Sequence, residues 1–167
     1  MKDLIHLLDS LSGFCMKIGE MIIGICGIGI LISMIFAIIP RTLFGFSFAW
    51  PEETSRYLMI WVAFIGSSVA MKRCELVSFE FFVSMFHGKN KFAAALIARA
   101  ITLYFLVIFL HVGVQMLPSY MKSKAVGLPI TLFWPALGLF VGGIFMLVHT
   151  IDGGLHDILS LMGKEGA

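Results

Sequence analysis

Met21 to Pro40 reads MIIGICGIGILISMIFAIIP, 20 residues without a charge. As a helix it is about 30 Å long, the thickness of a bilayer's hydrocarbon core. Its apolar residues do not keep to one stripe, as they would on a helix half-exposed to water. Gly29, Ser33 and Ala37 recur every fourth position and give it a thin face where another helix can approach closely. The run is too long for the apolar part of a signal peptide. Acids and bases precede it and three further apolar stretches follow, so it reads as a retained membrane span.

Before this span, Leu4, Leu7, Leu8, Leu11, Cys15 and Ile18 fall at helical spacing, with Lys2, Asp3, Asp9, Ser10 and Lys17 largely off the stripe. That pattern predicts an amphipathic helix in the membrane interface over about 2–17. After the span, Pro40 and Arg41 are expected to end it, and Gly45 with its aromatic neighbours to form a short connection. Trp50 to Arg73 then reads WPEETSRYLMIWVAFIGSSVAMKR. Pro51 suits a first helical position, and Glu52 and Glu53 suit the positive end of the helix dipole. Gly66 and Ala70 form a second small pair, and Lys72 and Arg73 close the stretch.

Residues 75–88 are mixed and read as a second in-plane helix, followed by a turn at HGKNK. A third span follows, with Arg99 near its start, and AVGLP turns into a fourth that contains the pair Gly138 and Gly142. A G-x-x-x-G pair is a weak signal in apolar sequence. The expected fold is an all-α integral membrane protein of one domain. Its four transmembrane helices span about 19–40, 53–72, 92–121 and 129–150, with short amphipathic interfacial helices at about 2–17 and 75–88.

Composition agrees. Of 167 residues, 59% are hydrophobic and 13% charged, against about 25% charged in soluble domains. The net charge of +2 and the absence of a basic stripe with interleaved aromatics exclude nucleic acid as an expected partner. Lys2, Lys17, Lys72, Arg73, Lys89, Lys91, Arg99 and Lys164 fall on the terminal side of the spans. Arg41, Arg56, Lys122 and Lys124 fall on the other. This asymmetry predicts both termini in the cytoplasm.

Little in the sequence points to catalysis. Cys15, Cys26 and Cys74 form no metal-ligand or redox spacing and read as small buried residues. A haem held across helices needs two histidines at one depth. His111 lies mid-span, and His149 lies at the inner end of its own. His149, Asp152 and His156 share a helical face, which an interfacial polar surface explains more simply than a metal. No cofactor and no metal are expected. A small membrane enzyme or cytochrome-like electron-transfer subunit is the alternative class.

The strongest polar constellation is Glu52, Glu53 and Arg56. Glu52 and Arg56 stand four apart in the order that favours an ion pair on a helix. The uncharged part of this span is short, so Glu53 and Arg56 are expected to meet protein rather than lipid. The alternative is a solvated helix end.

Ala49 to Arg73 resembles the second helix of the small membrane subunit of TRAP transporters, the DctQ-like family. The likeness is carried by Trp50, Glu52, Glu53, Arg56, Trp61, the small patch Gly66 to Ser68, and Lys72 with Arg73. Lys124 to Gly138, KAVGLPITLFWPALG, resembles that family's turn into its last helix. The chain departs from the pattern in CELVSFE, where Leu76 stands in place of a frequent histidine. The resemblance implies a small subunit of a sodium-coupled importer in the bacterial inner membrane. Its substrates would be organic acids: C4-dicarboxylates, keto acids or sialic acids. The implied partners are a large multi-span subunit, which this chain would scaffold, a periplasmic substrate-binding protein, and membrane lipid. Trp50, Glu52, Glu53, Arg56 and Trp61 are the expected contact residues. Gly29, Ser33, Gly66, Ala70, Gly138 and Gly142 are the expected helix-packing positions.

Overall fold

The computed structural model describes residues 2–73 and 89–164, with side chains over 8–73 and 96–155. Among the described residues there are four helices: α1 Lys2–Phe44, α2 Trp50–Lys72, α3 Lys89–Lys122 and α4 Phe133–Lys164. Among the described residues there is no β-strand, only an isolated bridge between Lys124 and Thr131. Residues 74–88, where the second in-plane helix was expected, lie outside the described residues.

Among the described residues, three helices are long and apolar enough to cross a membrane, over Leu8–Phe44, Leu96–Lys122 and Phe133–Leu155. The fourth, α2, reaches about 35 Å in 23 residues but carries Glu52, Glu53, Arg56 and Lys72. Its place in the packing suits that composition. It packs against both α1 and α4, which also touch each other, while α3 packs mainly on α4. Ile65 is wholly buried, and Ser55 and Ser68 nearly so. Their hydroxyls donate back to the helix's own carbonyls, Ser55 to Glu52 and Ser68 to Ile65. The most enclosed helix is α4, which meets all three others, and α1 and α3 present the outer surfaces.

The seam of α1 consists of small residues. Ser12, Cys15, Gly19, Cys26 and Ser33 are buried, whereas Phe14, Ile25, Ile28, Leu31 and Ile35 point outward. Small side chains bring the α1 and α2 backbones together, and large ones are left for the surroundings. The expected interfacial helix and first span are one continuous helix, with no break near residue 18. Nor does Pro40 end α1. It lies inside the helix, which runs on to Phe44. Gly45 then adopts φ 72°, the left-handed conformation that commonly terminates helices. The connection before α4 is a tight turn. Ala125 N–H donates to the Ile130 carbonyl at 2.9 Å, and Leu132 N–H to that of Ser123 at 3.0 Å. α4 therefore begins at Phe133, and it continues through the expected tail to Lys164.

Among the described glycines, the closest approach to another helix's backbone is between α2 and α4. A Cβ added at Gly142 would lie 2.6 Å from the Phe64 carbonyl carbon, and one at Gly138 would lie 2.7 Å from the Trp61 ring. Gly29 sits as closely on Leu58, at 2.9 Å. Gly66 is looser, with Ile23 at 4.0 Å, and Ala70 is half-buried. α3 reaches α2 through stacking of Phe109 on Phe64, whose ring centroids are 5.8 Å apart.

Candidate subunit-contact site at the ends of the second helix

Both ends of α2 are polar, and each is tied to other helices. At the Trp50 end, Pro51 is buried at the start of the helix and Glu53 is half-buried. The Glu53 carboxylate turns toward the turn before α4. It accepts the Val126 N–H at 3.0 Å and the Gly127 N–H at 2.5 Å, and also the Tyr57 hydroxyl at 2.5 Å. One side chain thus fixes a turn that lies 73 residues further along the chain. Gly127 is suited to this contact, since a Cβ there would come within 2.8 Å of the carboxylate and 3.2 Å of the Ala49 backbone.

The neighbours of Glu53 take different roles. Glu52 is exposed and approaches Arg41 of α1 at 3.7 Å, in place of the expected pairing with Arg56 one turn on. Arg56 is exposed and lines an open cleft between α1 and α2. Trp50 is 37% exposed and lies against Phe36, with ring centroids 6.0 Å apart. Trp61 points the other way, into the bundle. Its ring covers Gly138, and its Nε1–H donates to the Trp134 carbonyl at 3.2 Å. Of the five expected contact residues, the structure sets Glu53 and Trp61 toward α4 and leaves Trp50, Glu52 and Arg56 at the surface.

At the Lys72 end the ties are between side chains. The Lys72 ammonium donates to Asp152 of α4 at 2.6 Å and to Asp9 of α1 at 3.1 Å, so a single cation links three helices. The Asp152 side chain is 3% exposed. Beside it, buried His149 shares a hydrogen bond with Ser12 of α1, with Nδ1 and Oγ 2.8 Å apart. Its Nε2 is also buried and has no hydrogen-bond partner among the described residues. Thr150 donates to the Met146 carbonyl at 2.7 Å, Arg73 pairs with Glu20, and the Arg99 guanidinium lies over Gly153. Sequence reasoning noticed His149 and Asp152 as a polar face but not their partners. The available signal was two opposite charges, Lys72 and Asp152, each at the end of an apolar stretch.

Among the described residues no group of three or more His, Cys, Asp or Glu could hold a metal ion. Cys15 and Cys26 are buried in the α1 seam. His111 is exposed on α3, away from His149, and pairs with Gln115 at 3.1 Å. The arrangement gathers its polar ties at the two ends of α2. It provides fastened helix ends and broad apolar flanks.

Comparison with known proteins accords with this architecture. The chain is similar to the sialic acid TRAP transporter small permease protein SiaQ of Vibrio cholerae serotype O1. The two are 24% identical over 118 residues, covering 71% of this chain and 68% of the relative. Residues 30–158 match the family described as tripartite ATP-independent periplasmic transporters, DctQ component, and that stretch includes the Glu53 fastening, the Gly138 and Gly142 packing and the Lys72–Asp152 tie. The chain therefore belongs to the DctQ component family of the tripartite ATP-independent periplasmic transporters.

Proposed function

We propose that the chain is the small membrane subunit that braces the large, multi-span subunit of a sodium-coupled importer of organic acids. By likeness to the Vibrio protein, the substrate is of the sialic-acid type. In this reading all four helices cross the inner membrane, both termini are cytoplasmic and Trp50 faces the periplasm. The Glu53 end, with its fixed turn at Val126 and Gly127, then supplies a rigid outer surface near which a substrate-binding protein docks. The chain itself carries no solute path. Coupled transport places polar groups or broken helices around a site near the midplane. Here the mid-span polar pair, His111 and Gln115, stands on a surface.

The observation that carries the scaffold reading is that pair. The apolar middle of α3 is almost wholly unburied within the chain, and His111 and Gln115 are exposed there among Ile108, Val112, Val114 and Met116. Lipid cannot satisfy their remaining polar atoms, and polar residues at this depth normally face protein. A second membrane subunit against α3 would meet that need. The test is purification of a tagged chain co-expressed with the large subunit, with uptake measured in the same cells. Wild type should carry the large subunit with it, and His111→Leu combined with Gln115→Leu should lower both yield and uptake severalfold. A chain that always purifies alone would overturn the proposal.

A further inference from the structure

Between α1 and α2, at the Trp50 end, lies an open cleft of about 390 Å³. Its lining changes with depth. Met34 and Ile38 of α1 and Met59 of α2 form an apolar part, and Arg41, Glu52 and Arg56 stand one to two turns nearer the helix ends. The hydroxyls of Thr42 and Ser55, also in the lining, donate to the Ile38 and Glu52 carbonyls. Recognition at the mouth therefore rests on the three charged side chains. Arg41 and Glu52 are 3.7 Å apart and their side chains 69% and 51% exposed, a loose pair that a ligand can enter. Aromatic rings mark the same level. Phe46 contacts both Phe44 and Phe48, and Trp50 contacts Phe36, a clustering usual where a membrane meets water.

We propose that this cleft is a binding site for a zwitterionic phospholipid of the ethanolamine type. The phosphate sits between Arg41 and Arg56, the ammonium at Glu52, and an acyl chain along Met34, Ile38 and Met59. Guanidinium groups bind phosphate through paired, charge-assisted hydrogen bonds, and two of them accept it more readily than one. Glu52 is the discriminating residue. It attracts a headgroup cation and repels a headgroup that bears only negative charge. The apolar depth has no use for a free phosphate. The inference rests on α1 and α2 crossing the bilayer and is independent of which protein the subunit braces.

The test uses the full chain in detergent, titrated separately with phosphatidylethanolamine, phosphatidylglycerol and inorganic phosphate and read by native mass spectrometry. Wild type should hold one phosphatidylethanolamine, hold phosphatidylglycerol more weakly, and not release the lipid to inorganic phosphate. Arg41→Gln with Arg56→Gln should weaken retention of phosphatidylethanolamine at least about tenfold, the value of a single charge-assisted hydrogen bond. Glu52→Gln should bring the two lipids level. Equal retention by the double variant, preference of the wild type for phosphatidylglycerol, or displacement by phosphate would each overturn the proposal. So would a double variant that keeps its lipid but no longer co-purifies with the large subunit, since the cleft would then be a protein contact. If the double variant aggregates, the selectivity of Glu52→Gln decides alone. Loss of the lipid site leaves the scaffold reading standing, because co-purification is measured separately.

Discussion

The Glu53 end of α2 and the Lys72 end solve one problem in two ways. Each holds a charged group at the boundary of an apolar bundle. Glu53 is satisfied by two backbone N–H groups and a tyrosine hydroxyl, none of which carries a charge of its own. Lys72 is satisfied by carboxylates from two other helices, one of them buried. A carboxylate held by backbone donors fixes a turn, and its loss leaves only small dipoles without a partner. A cation between two acids fixes three helices, and its loss removes two charge-assisted hydrogen bonds at once. The Lys72 end should therefore be the more fragile, and the Glu53 end the more local in its effects.

The largest expected effect breaks the Lys72 tie. Lys72→Ala removes two charge-assisted hydrogen bonds at once, to Asp152 at 2.6 Å and to Asp9 at 3.1 Å, and should destabilise the chain by about 3 kcal/mol, measured by thermal unfolding in detergent. If Lys72→Ala melts like wild type, the contrast between the two ends fails.

Gly127→Ala probes the other end. Its Cβ would meet the Glu53 carboxylate and the Ala49 backbone, and backbone cannot rotate away. Overpacking of this kind costs about 1–3 kcal/mol. The damage should stay local, with faster hydrogen exchange at Val126 and Gly127 and unchanged protection at Ile65. Spread of the faster exchange into α2 would show that the two ends are not independent.

Ser12→Ala sharpens the comparison within the Lys72 end by removing a neutral hydrogen bond from the same neighbourhood. Ser12 is wholly buried and bonds His149, so a loss of about 1 kcal/mol is expected on unfolding. Ser12→Ala with His149→Leu should cost less than the single change, because the ring's unpartnered Nε2 goes too.

The smallest effect belongs to the exposed pair. Arg41→Gln should alter stability by about 0–1 kcal/mol, since a surface ion pair 3.7 Å apart gains little over hydration. A larger loss by the same melting assay would mean that Arg41 is held in a way its exposure does not suggest.

How much of this was readable without coordinates depended on what kind of property it was. The uncharged run from Met21 to Pro40 announced a span because crossing a bilayer demands only length and the absence of charge, and both can be counted along one helix. Gly138 and Gly142 were visible as a pair, yet nothing in their spacing named Trp61 and Phe64 as the surface they meet. Pro40 was misread as a helix end because one lost backbone bond is tolerable inside a long helix when Gly45 supplies the actual stop. Glu52 and Arg56 matched a local pairing rule, but α1 placed Arg41 within reach of Glu52. Glu53 was marked as a residue that should meet protein, and its partners lay in this chain's own turn.

By itself the sequence determined that this is an all-helical chain with long apolar helices, polar at their ends and thin along particular faces. Those features follow from composition and spacing, and each helix expresses them alone. Tertiary structure alone decided that α4 meets all three other helices, that Glu53 grips a turn 73 residues away, and that Lys72 joins residues 63 and 80 positions distant. Such pairings require the rotation and depth of each helix relative to its neighbours. Those are set where small residues let backbones touch, Gly19 on Val69 and Gly142 on Phe64, and they exist only once the helices have packed.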